Sequence, residues 1–196
     1  DQLPGVAITV SSIVLPVGIS FFTFQGLSYV IDVYRNERLK STRFRDVLLY
    51  IALFPQLVAG PIVRYEDVAD EIKGRRHTLE QLANGLRRFI IGLSKKLLIA
   101  DVCGSVVTLI YSAERSVLDS RTAWLAAVCY LIQIYFDFSG YSDMAIGLGL
   151  CFGFHFKENF NYPYISSSIQ EFWRRWHISL STWFREYLYI PLGGNR

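Results

Sequence analysis

The sequence predicts an all-α fold, a polytopic bundle of integral membrane helices that includes re-entrant or broken helices and interfacial amphipathic helices. Hydrophobic residues make up 52% of the chain and charged residues only 19%. The apolar residues are concentrated in several uncharged runs. The first run, residues 2–31, is longer than the roughly 20 residues that a spanning helix needs. We treat residues 1–196 as one partial membrane domain.

The first apolar run predicts a helix that is kinked or broken near Pro16 and Gly18, because thirty residues exceed one membrane crossing. Five basic residues follow between residues 35 and 45. Since basic loops stay on the cytoplasmic side of membrane proteins, this loop is the best candidate for that side. The chain starts at Asp1, without a methionine, and we expect it to be a fragment that lacks a C-terminal part.

The second apolar run, residues 47–63, is short and is interrupted by Pro55, Gly60 and Pro61. Basic residues flank it on both sides. A short, broken run between two basic flanks favours a re-entrant hairpin over a complete span. Such backbone is tolerated at membrane depth only where protein or a water-filled cavity surrounds it.

A basic amphipathic helix is predicted to begin after Thr78, because Thr78–Gln81 has the spacing of a capping box. Apolar residues recur on one face of the helix that follows. The basic side chains lie largely elsewhere: Arg87, Arg88, Lys95 and Lys96. We expect this helix to lie at the membrane interface with its charges towards the lipid headgroups.

Three further apolar runs follow. Residues 102–113 are too few to span a membrane, whereas residues 122–136 can span if the helix continues beyond them. Residues 144–154 contain Gly149 and Gly153, whose four-residue spacing lets two helices approach closely.

A polar segment, Asp137–Asp143, separates the last two runs. Carboxylates at membrane depth are costly, so we expect them to face a cavity or a partner. A structural interpretation is favoured over direct catalysis: Gly140 breaks the helix, and Ser142 or Asp143 caps the next one. Both interpretations hold together if the break lines a substrate path. The candidates for such a path are Asp137, Ser139, Tyr141 and Asp143.

The last predicted helix begins at Ser168, where Ser168–Glu171 repeats the capping-box spacing. If the helix continues, a turn of 100° per residue places His177 on one face with further polar and aromatic residues. These are Gln170, Trp173, Arg174, Ser181 and Phe184. Glu171 points the opposite way and has two structural roles, as a cap residue and as the partner of Arg175.

His177 is the candidate catalytic residue, with Arg174 and Ser181 as possible assistants. A histidine has a pKa near 6.5, so it can act as a general base or as a hydrogen-bond donor. The alternative is a packed histidine that donates to a backbone carbonyl. The histidines have no neighbours at metal-ligand spacing, the net charge of +3 is no sign of nucleic-acid binding, and the three cysteines lie within apolar runs. We therefore expect no metal, no bound cofactor and no nucleic acid.

Five stretches in order resemble the membrane-bound O-acyltransferase family, in its bacterial alginate O-acetylation branch. They are LPVGISFFTFQGLSYVIDVYR, FPQLVAGPIVRY, IYFDFSGYSDMAIGLG, ENFNYPY and EFWRRWHISLSTWFREYLYIPLGGNR. The resemblance implies a multi-pass protein of the bacterial inner membrane, built around a tunnel. Its activity would be acyl transfer from a cytoplasmic thioester, acetyl-CoA or an acyl carrier, to hydroxyls of an exported polysaccharide.

The resemblance also implies partners and site residues. The partners are the lipid bilayer, the polysaccharide acceptor and periplasmic or extracellular acetyltransferase proteins. Family members place at the site the residue that matches His177 and a second histidine in a later apolar segment, which lies beyond Arg196. If the later histidine is the principal base, His177 would orient substrate or stabilise the oxyanion; otherwise His177 could itself be the base.

Two other functions are compatible with the residues. In a transporter or channel, broken helices and buried charges line a path for solutes, and flux would need no acyl donor. In an inactive scaffold of a polymer-modification complex, the later histidine would be missing. Incorporation of labelled acetyl groups into an exported polysaccharide distinguishes the enzyme from both.

Overall fold

The computed structural model describes residues 18–41, 43–57, 60–114 and 118–194. The described residues form helices and no β-strand, which confirms the all-α class. Their α-helices are α1 (Ile19–Arg35), α2 (Phe44–Ala52), α3 (Tyr65–Gly74), α4 (Leu79–Ser94), α5 (Asp101–Tyr111), α6 (Ser120–Cys151), α7 (Ile169–Arg175) and α8 (Ile178–Phe184). Short π-helical turns cover Lys95–Ala100 and Arg185–Tyr189, and 3₁₀ turns cover Glu37–Leu39, Phe54–Gln56 and Pro163–Ile165.

The capping box at the start of α4 is confirmed. The hydroxyl of Thr78 accepts the Gln81 backbone N–H (3.1 Å), and the Gln81 side-chain oxygen accepts the Thr78 backbone N–H (3.2 Å). The helix does not end before the next apolar run. It passes through the π-helical turn Lys95–Ala100 directly into α5. The amphipathic helix and the run 102–113 are therefore one helical segment.

α6 is the organising helix of the described structure. Its 32 residues join the two apolar runs 122–136 and 144–154 through the polar segment between them. Among the described helices it is the one that is long and apolar enough to cross a membrane. Only 17% of its most apolar 18-residue window is buried within the protein, which differs from the buried core helix of a soluble protein.

Glycines let α4 and α6 pack backbone to backbone. A Cβ atom added at Gly85 would lie 2.6 Å from the carbonyl oxygen of Gly147, and one at Gly92 would lie 2.5 Å from that of Gly140. The prediction that Gly140 breaks the helix is wrong. Its missing side chain allows the close approach of α4, and α6 continues through the polar segment.

The predicted contact of Gly149 and Gly153 with another helix is also wrong. Gly149 packs beneath the ring of Phe156, which a Cβ atom would approach to 2.5 Å. Gly153 follows the end of α6 with a φ of +79°, the left-handed conformation that glycine adopts most easily at a helix C-terminus. Gly149 therefore makes room for the Phe156 ring, and Gly153 turns the chain after α6.

α1, α2 and α3 pack together beside this pair, around the buried rings of Tyr50 and Tyr65. α2 ends at Ala52, and the two sides of the broken run 47–63 meet where the Tyr50 hydroxyl donates to the Val63 carbonyl (2.8 Å). The re-entrant path of this run in a bilayer stays a prediction. α1 begins at Ile19, after Gly18, and the expected kink at Pro16 lies outside the described residues.

α8 and the π-helical turn after it pack against α1. The Trp183 indole N–H donates to the Ser28 hydroxyl (2.8 Å), and the Tyr187 hydroxyl donates to the buried Asp32 carboxylate (2.6 Å). On the side facing α3, Glu186 forms an ion pair with Arg64. These contacts fix the position of the C-terminal segment, and with it the position of His177.

Candidate active site

His177 lies at a break between two helices. Ser168 caps α7 as predicted, because its hydroxyl accepts the Glu171 backbone N–H (3.1 Å). However, α7 ends at Arg175, and α8 begins at Ile178. The prediction of one continuous terminal helix is therefore wrong.

The break is imposed by the loop that follows α6. The backbone N–H of Asn161 donates to the Arg175 carbonyl, and the backbone N–H of Ile178 donates to the Asn159 carbonyl, each at 2.9 Å. Between these two bonds, His177 adopts a left-handed conformation with φ 45° and ψ 55°. For a residue other than glycine this conformation costs about 1 kcal/mol or more, and it persists where surrounding contacts enforce it. Such strain often marks a functional position.

The His177 side chain is held by a small polar network. Its Nδ1 atom lies 3.1 Å from Oδ1 of Asn159, and its ring meets the Phe138 ring edge to face, with 4.8 Å between centroids. Asn159 is 1% exposed and also contacts the hydroxyls of Ser142 (2.9 Å) and Ser179 (2.8 Å). Burial lowers the pKa of His177 to about 4, so the imidazole is neutral near pH 7 and one of its ring nitrogens carries no proton.

The polar face predicted around His177 is not assembled as a continuous helix would have placed it. The Ser181 hydroxyl donates to the Trp173 carbonyl (3.3 Å), and Gln170, Trp173 and Arg174 are exposed on α7. The cause is the left-handed residue, because it changes the phase of the helix between α7 and α8. Participation of these side chains stays a prediction. The opposite face is as expected, since Glu171 pairs with Arg175 at 2.8 Å.

A cavity of about 570 Å³ lies between α6 and the loop that holds His177. Its lining includes aromatic, amide, hydroxyl and charged side chains, among them Tyr135, Ser139, Ser142, Asp143, Asn159 and Tyr162. Ser139 is 3% exposed, and its hydroxyl has no hydrogen-bond partner within the described ranges. Two of the predicted polar residues of α6, Ser139 and Asp143, thus face a cavity.

Asp143 is the centre of an ion-pair cluster at this cavity. Its carboxylate contacts Arg88 (2.8 Å) and Lys95 (2.5 Å) of the α4 segment, and Arg88 also pairs with Glu158. The prediction that Ser142 or Asp143 caps a helix is wrong, because α6 continues through both. The assignment of Arg88 and Lys95 to lipid headgroups is also wrong, since both neutralise a carboxylate buried within the protein.

The other two polar residues of this segment lie further from the cavity. Asp137 pairs with Lys96 at 2.7 Å, and its side chain is 48% exposed. Tyr141 is half-buried on the same helix. The segment therefore contributes to two separate ion-pair groups, one at the cavity and one near the junction of α4 and α5.

The family model for MBOAT, the membrane-bound O-acyltransferase family, matches residues 34–196, which include α6, the ion-pair cluster and His177. The chain belongs to the membrane-bound O-acyltransferase family. It is thus a membrane protein.

Curated relatives of this chain carry three kinds of name. The chain is 53% identical over 184 residues to "Probable alginate O-acetylase AlgI" of Pseudomonas aeruginosa, covering 94% of this chain and 35% of that protein. It is 40% identical over 211 residues to "Peptidoglycan O-acetyltransferase" of Helicobacter pylori, covering 94% of this chain and 40% of that protein. It is 32% identical over 178 residues to "Teichoic acid D-alanyltransferase" of Bacillus subtilis, covering 88% and 44%. The chain therefore spans less than half the length of these relatives.

Asn159 is a residue of the candidate site that sequence reasoning missed. It lies in the ENFNYPY stretch, which carries part of the family resemblance, but an asparagine after the end of a helix is an ordinary turn residue. Its partner His177 is 18 positions later, so no local spacing connects them. Asn159 is found only once the fold is known.

Proposed function

We propose that the full-length protein transfers an acetyl or other acyl group from a cytoplasmic thioester to hydroxyls of an exported, alginate-like cell-envelope polysaccharide. The observation that carries this proposal is the 53% identity, over 94% of the chain, to a protein named as a probable alginate O-acetylase. The relative named for peptidoglycan is less similar, at 40%. We therefore favour an alginate-like acceptor over peptidoglycan.

The reaction would join the acceptor oxygen to the acyl carbon and break the carbon–sulfur bond of the donor. A sugar hydroxyl is a weak nucleophile, so a base must take its proton as it attacks, and a donor must stabilise the tetrahedral oxyanion. The proton leaves with the base, and the donor thiolate is released. The neutral His177 imidazole has a free lone pair and is held by Asn159, which supports a role in proton transfer.

The remaining parts of the proposal concern the whole protein. It would be a multi-pass bundle in the bacterial inner membrane, with residues 1–196 forming part of one domain. The donor would be acetyl-CoA or an acyl carrier, and periplasmic or extracellular acetyltransferase proteins would be partners. The cavity residues of α6, with Gln170, Trp173, Arg174 and Ser181 at the helix break, would line the substrate path or assist.

The test is His177→Asn in the full-length protein, in cells that make the polymer. Asparagine tolerates the left-handed backbone better than alanine does, so this variant removes the imidazole with little change in fold. We expect incorporation of labelled acetyl groups to fall by about 100-fold or more, the usual effect of losing a general acid or base. His155→Asn is the matched control, since His155 is exposed and its ring pairs with Glu71 at 2.7 Å.

The expected result is loss of acetylation in the His177 variant alone, with equal amounts of both variants in the membrane fraction. Normal acetylation in His177→Asn would contradict the role of His177. A wild-type protein that leaves the polymer unlabelled would contradict the proposed activity, and donor-independent solute flux would favour a transporter.

A further inference from the structure

We infer that Asn159 is a positioning residue that holds the proton of His177 on Nδ1 and leaves Nε2 free to accept one. The inference rests on the proposed function, because it assigns His177 one of two roles in that reaction. The observation that carries it is the set of hydrogen bonds of the Asn159 side chain, which includes one from the backbone N–H of Ser179.

The backbone of Ser179 determines the orientation of the Asn159 amide. The backbone N–H of Ser179 points at one end of this amide, 3.1 Å away. A backbone N–H can only donate, so the atom that it contacts must be the carbonyl oxygen Oδ1 and not the NH₂ group. The NH₂ end then donates to the hydroxyl of Ser142 in α6, at 2.9 Å. The two ends of the amide are thereby distinguished.

The orientation of the Asn159 amide in turn determines the tautomer of His177. Its Nδ1 atom lies 3.1 Å from the same Oδ1 atom. Two acceptors do not form a hydrogen bond, so Nδ1 must carry the proton and donate it to Asn159. The Ser179 hydroxyl, 3.4 Å from Nδ1, donates its own proton to Oδ1 (2.8 Å) and accepts the Ile62 backbone N–H (2.9 Å). Its contacts are consistent with a protonated Nδ1.

Asn159 and His177 are held rigidly together. Asn159 is 1% exposed, and its backbone carbonyl accepts the N–H of Ile178, the residue after His177. Its side chain joins α6 through Ser142 to the helix break through His177 and Ser179. A change in the amide would therefore move the imidazole relative to α6 and the cavity.

This geometry assigns one of the two roles that the sequence leaves open. A neutral imidazole protonated on Nδ1 presents a lone pair at Nε2, so it accepts the proton of the attacking hydroxyl and does not donate to the oxyanion. As Nε2 takes that proton, the imidazole becomes positively charged, and the Nδ1–H bond to Asn159 strengthens. The oxyanion donor must then be another group.

Among the described residues, no charged side chain forms a hydrogen bond or an ion pair with His177. Phe138, Asn159 and Ser179 contact the ring itself and are neutral. The adjoining cavity is lined by Asp143, Glu158, Arg88 and Lys95, which form the ion-pair cluster described above. The cavity lining thus has two positive and two negative side chains. A negative charge added at residue 159 should therefore be the main change in the electrostatic potential at His177.

The experiment compares Asn159→Ala with Asn159→Asp in the full-length protein. Asn159→Ala removes the acceptor, and we expect kcat for acetyl transfer to fall about 10-fold or more with little change in KM. Asn159→Asp restores an acceptor oxygen, and its negative charge raises the pKa of His177. We expect it to recover most of kcat and to move the acidic limb of the pH profile upward by about 1 pH unit or more.

A purely structural role would give a different result. Both variants would then lose activity in proportion to folded protein in the membrane, and the pH profile would not move. Combining Asn159→Ala with His177→Asn adds a second check, since residues that act as a unit lose activity non-additively. Additive losses, or an unmoved pH profile in Asn159→Asp, overturn the inference. An active wild type with an active His177→Asn instead overturns the role of His177 on which it rests.

Discussion

Asp143→Asn is the sharpest test of the ion-pair cluster, because it removes one charge and keeps the size of the side chain. The Asp143 side chain is 13% exposed and faces Arg88 and Lys95. Removing one partner of a buried ion pair costs about 3–5 kcal/mol, since the remaining charge is left unpaired. Arg88 keeps Glu158, and both cations are about one-third exposed. We therefore expect the lower end, about 3 kcal/mol of unfolding free energy.

The assay is denaturant titration of the purified full-length protein in mixed micelles. Asp137→Asn is the matched control on the same helix. Its side chain is 48% exposed, and its partner Lys96 keeps a second carboxylate, Asp101, at 2.8 Å. Exposed ion pairs contribute about 0–1 kcal/mol, so the control should lose no more than that.

A double variant separates charge from packing. Lys95→Met keeps much of the volume of the lysine side chain, and combined with Asp143→Asn it removes both members of the pair. Most of the lost stability should return, because replacing both partners leaves no unpaired charge. Equal losses in Asp143→Asn and Asp137→Asn, or no recovery in the double variant, would refute the reasoning.

Two further comparisons test the packing. Gly92→Ala should destabilise the helix pair, since its Cβ atom would lie 2.5 Å from the Gly140 carbonyl oxygen. Gly26→Ala meets open space and should stabilise α1 by up to about 1 kcal/mol. Thermal unfolding in detergent compares the two variants, and equal shifts of their midpoints would contradict the close packing. Tyr187→Phe should cost about 1.5–3 kcal/mol in the same assay, because the buried Asp32 carboxylate loses a hydrogen-bond donor at 2.6 Å; an unchanged midpoint would show that the bond contributes nothing.

Features that depend on neighbouring residues were predictable from the sequence. The caps at Thr78 and Ser168 form as expected because each cap involves residues within three positions of one another. The pair of Glu171 with Arg175 is local for the same reason. The all-helical class follows from the length and spacing of the apolar runs, which local composition determines.

Features that depend on contacts between distant residues were not predictable from the sequence. The break at His177 contains neither proline nor glycine, and it is imposed by Asn159 and Asn161, which lie earlier in the chain. Gly140 was expected to end a helix because glycine is a weak helix former. Its partner Gly92 reverses that expectation. The seven-residue spacing of Gly85 and Gly92, matched by Gly140 and Gly147, was a usable signal for this contact.

The ion pairs also could not be predicted, because they join residues that are far apart in the chain. Arg88 and Asp143 are 55 positions apart, and only the packing of α4 against α6 makes them partners. From the sequence alone, a basic residue on an amphipathic helix is equally suited to lipid headgroups. The candidate site was therefore predictable at His177 itself, from its residue type and the family resemblance, but not in the residues that orient it.

The order of residues in the ion-pair cluster bears on how the protein is made. Arg88 and Lys95 precede Asp143 in the chain, so both cations are synthesised before α6, the candidate membrane span, is complete. A charged aspartate entering lipid alone would oppose insertion. If α4 and α6 enter together as a hairpin, the aspartate is neutralised by its partners during insertion. The glycine contacts between these helices would then assist biosynthesis as well as the stability of the finished protein.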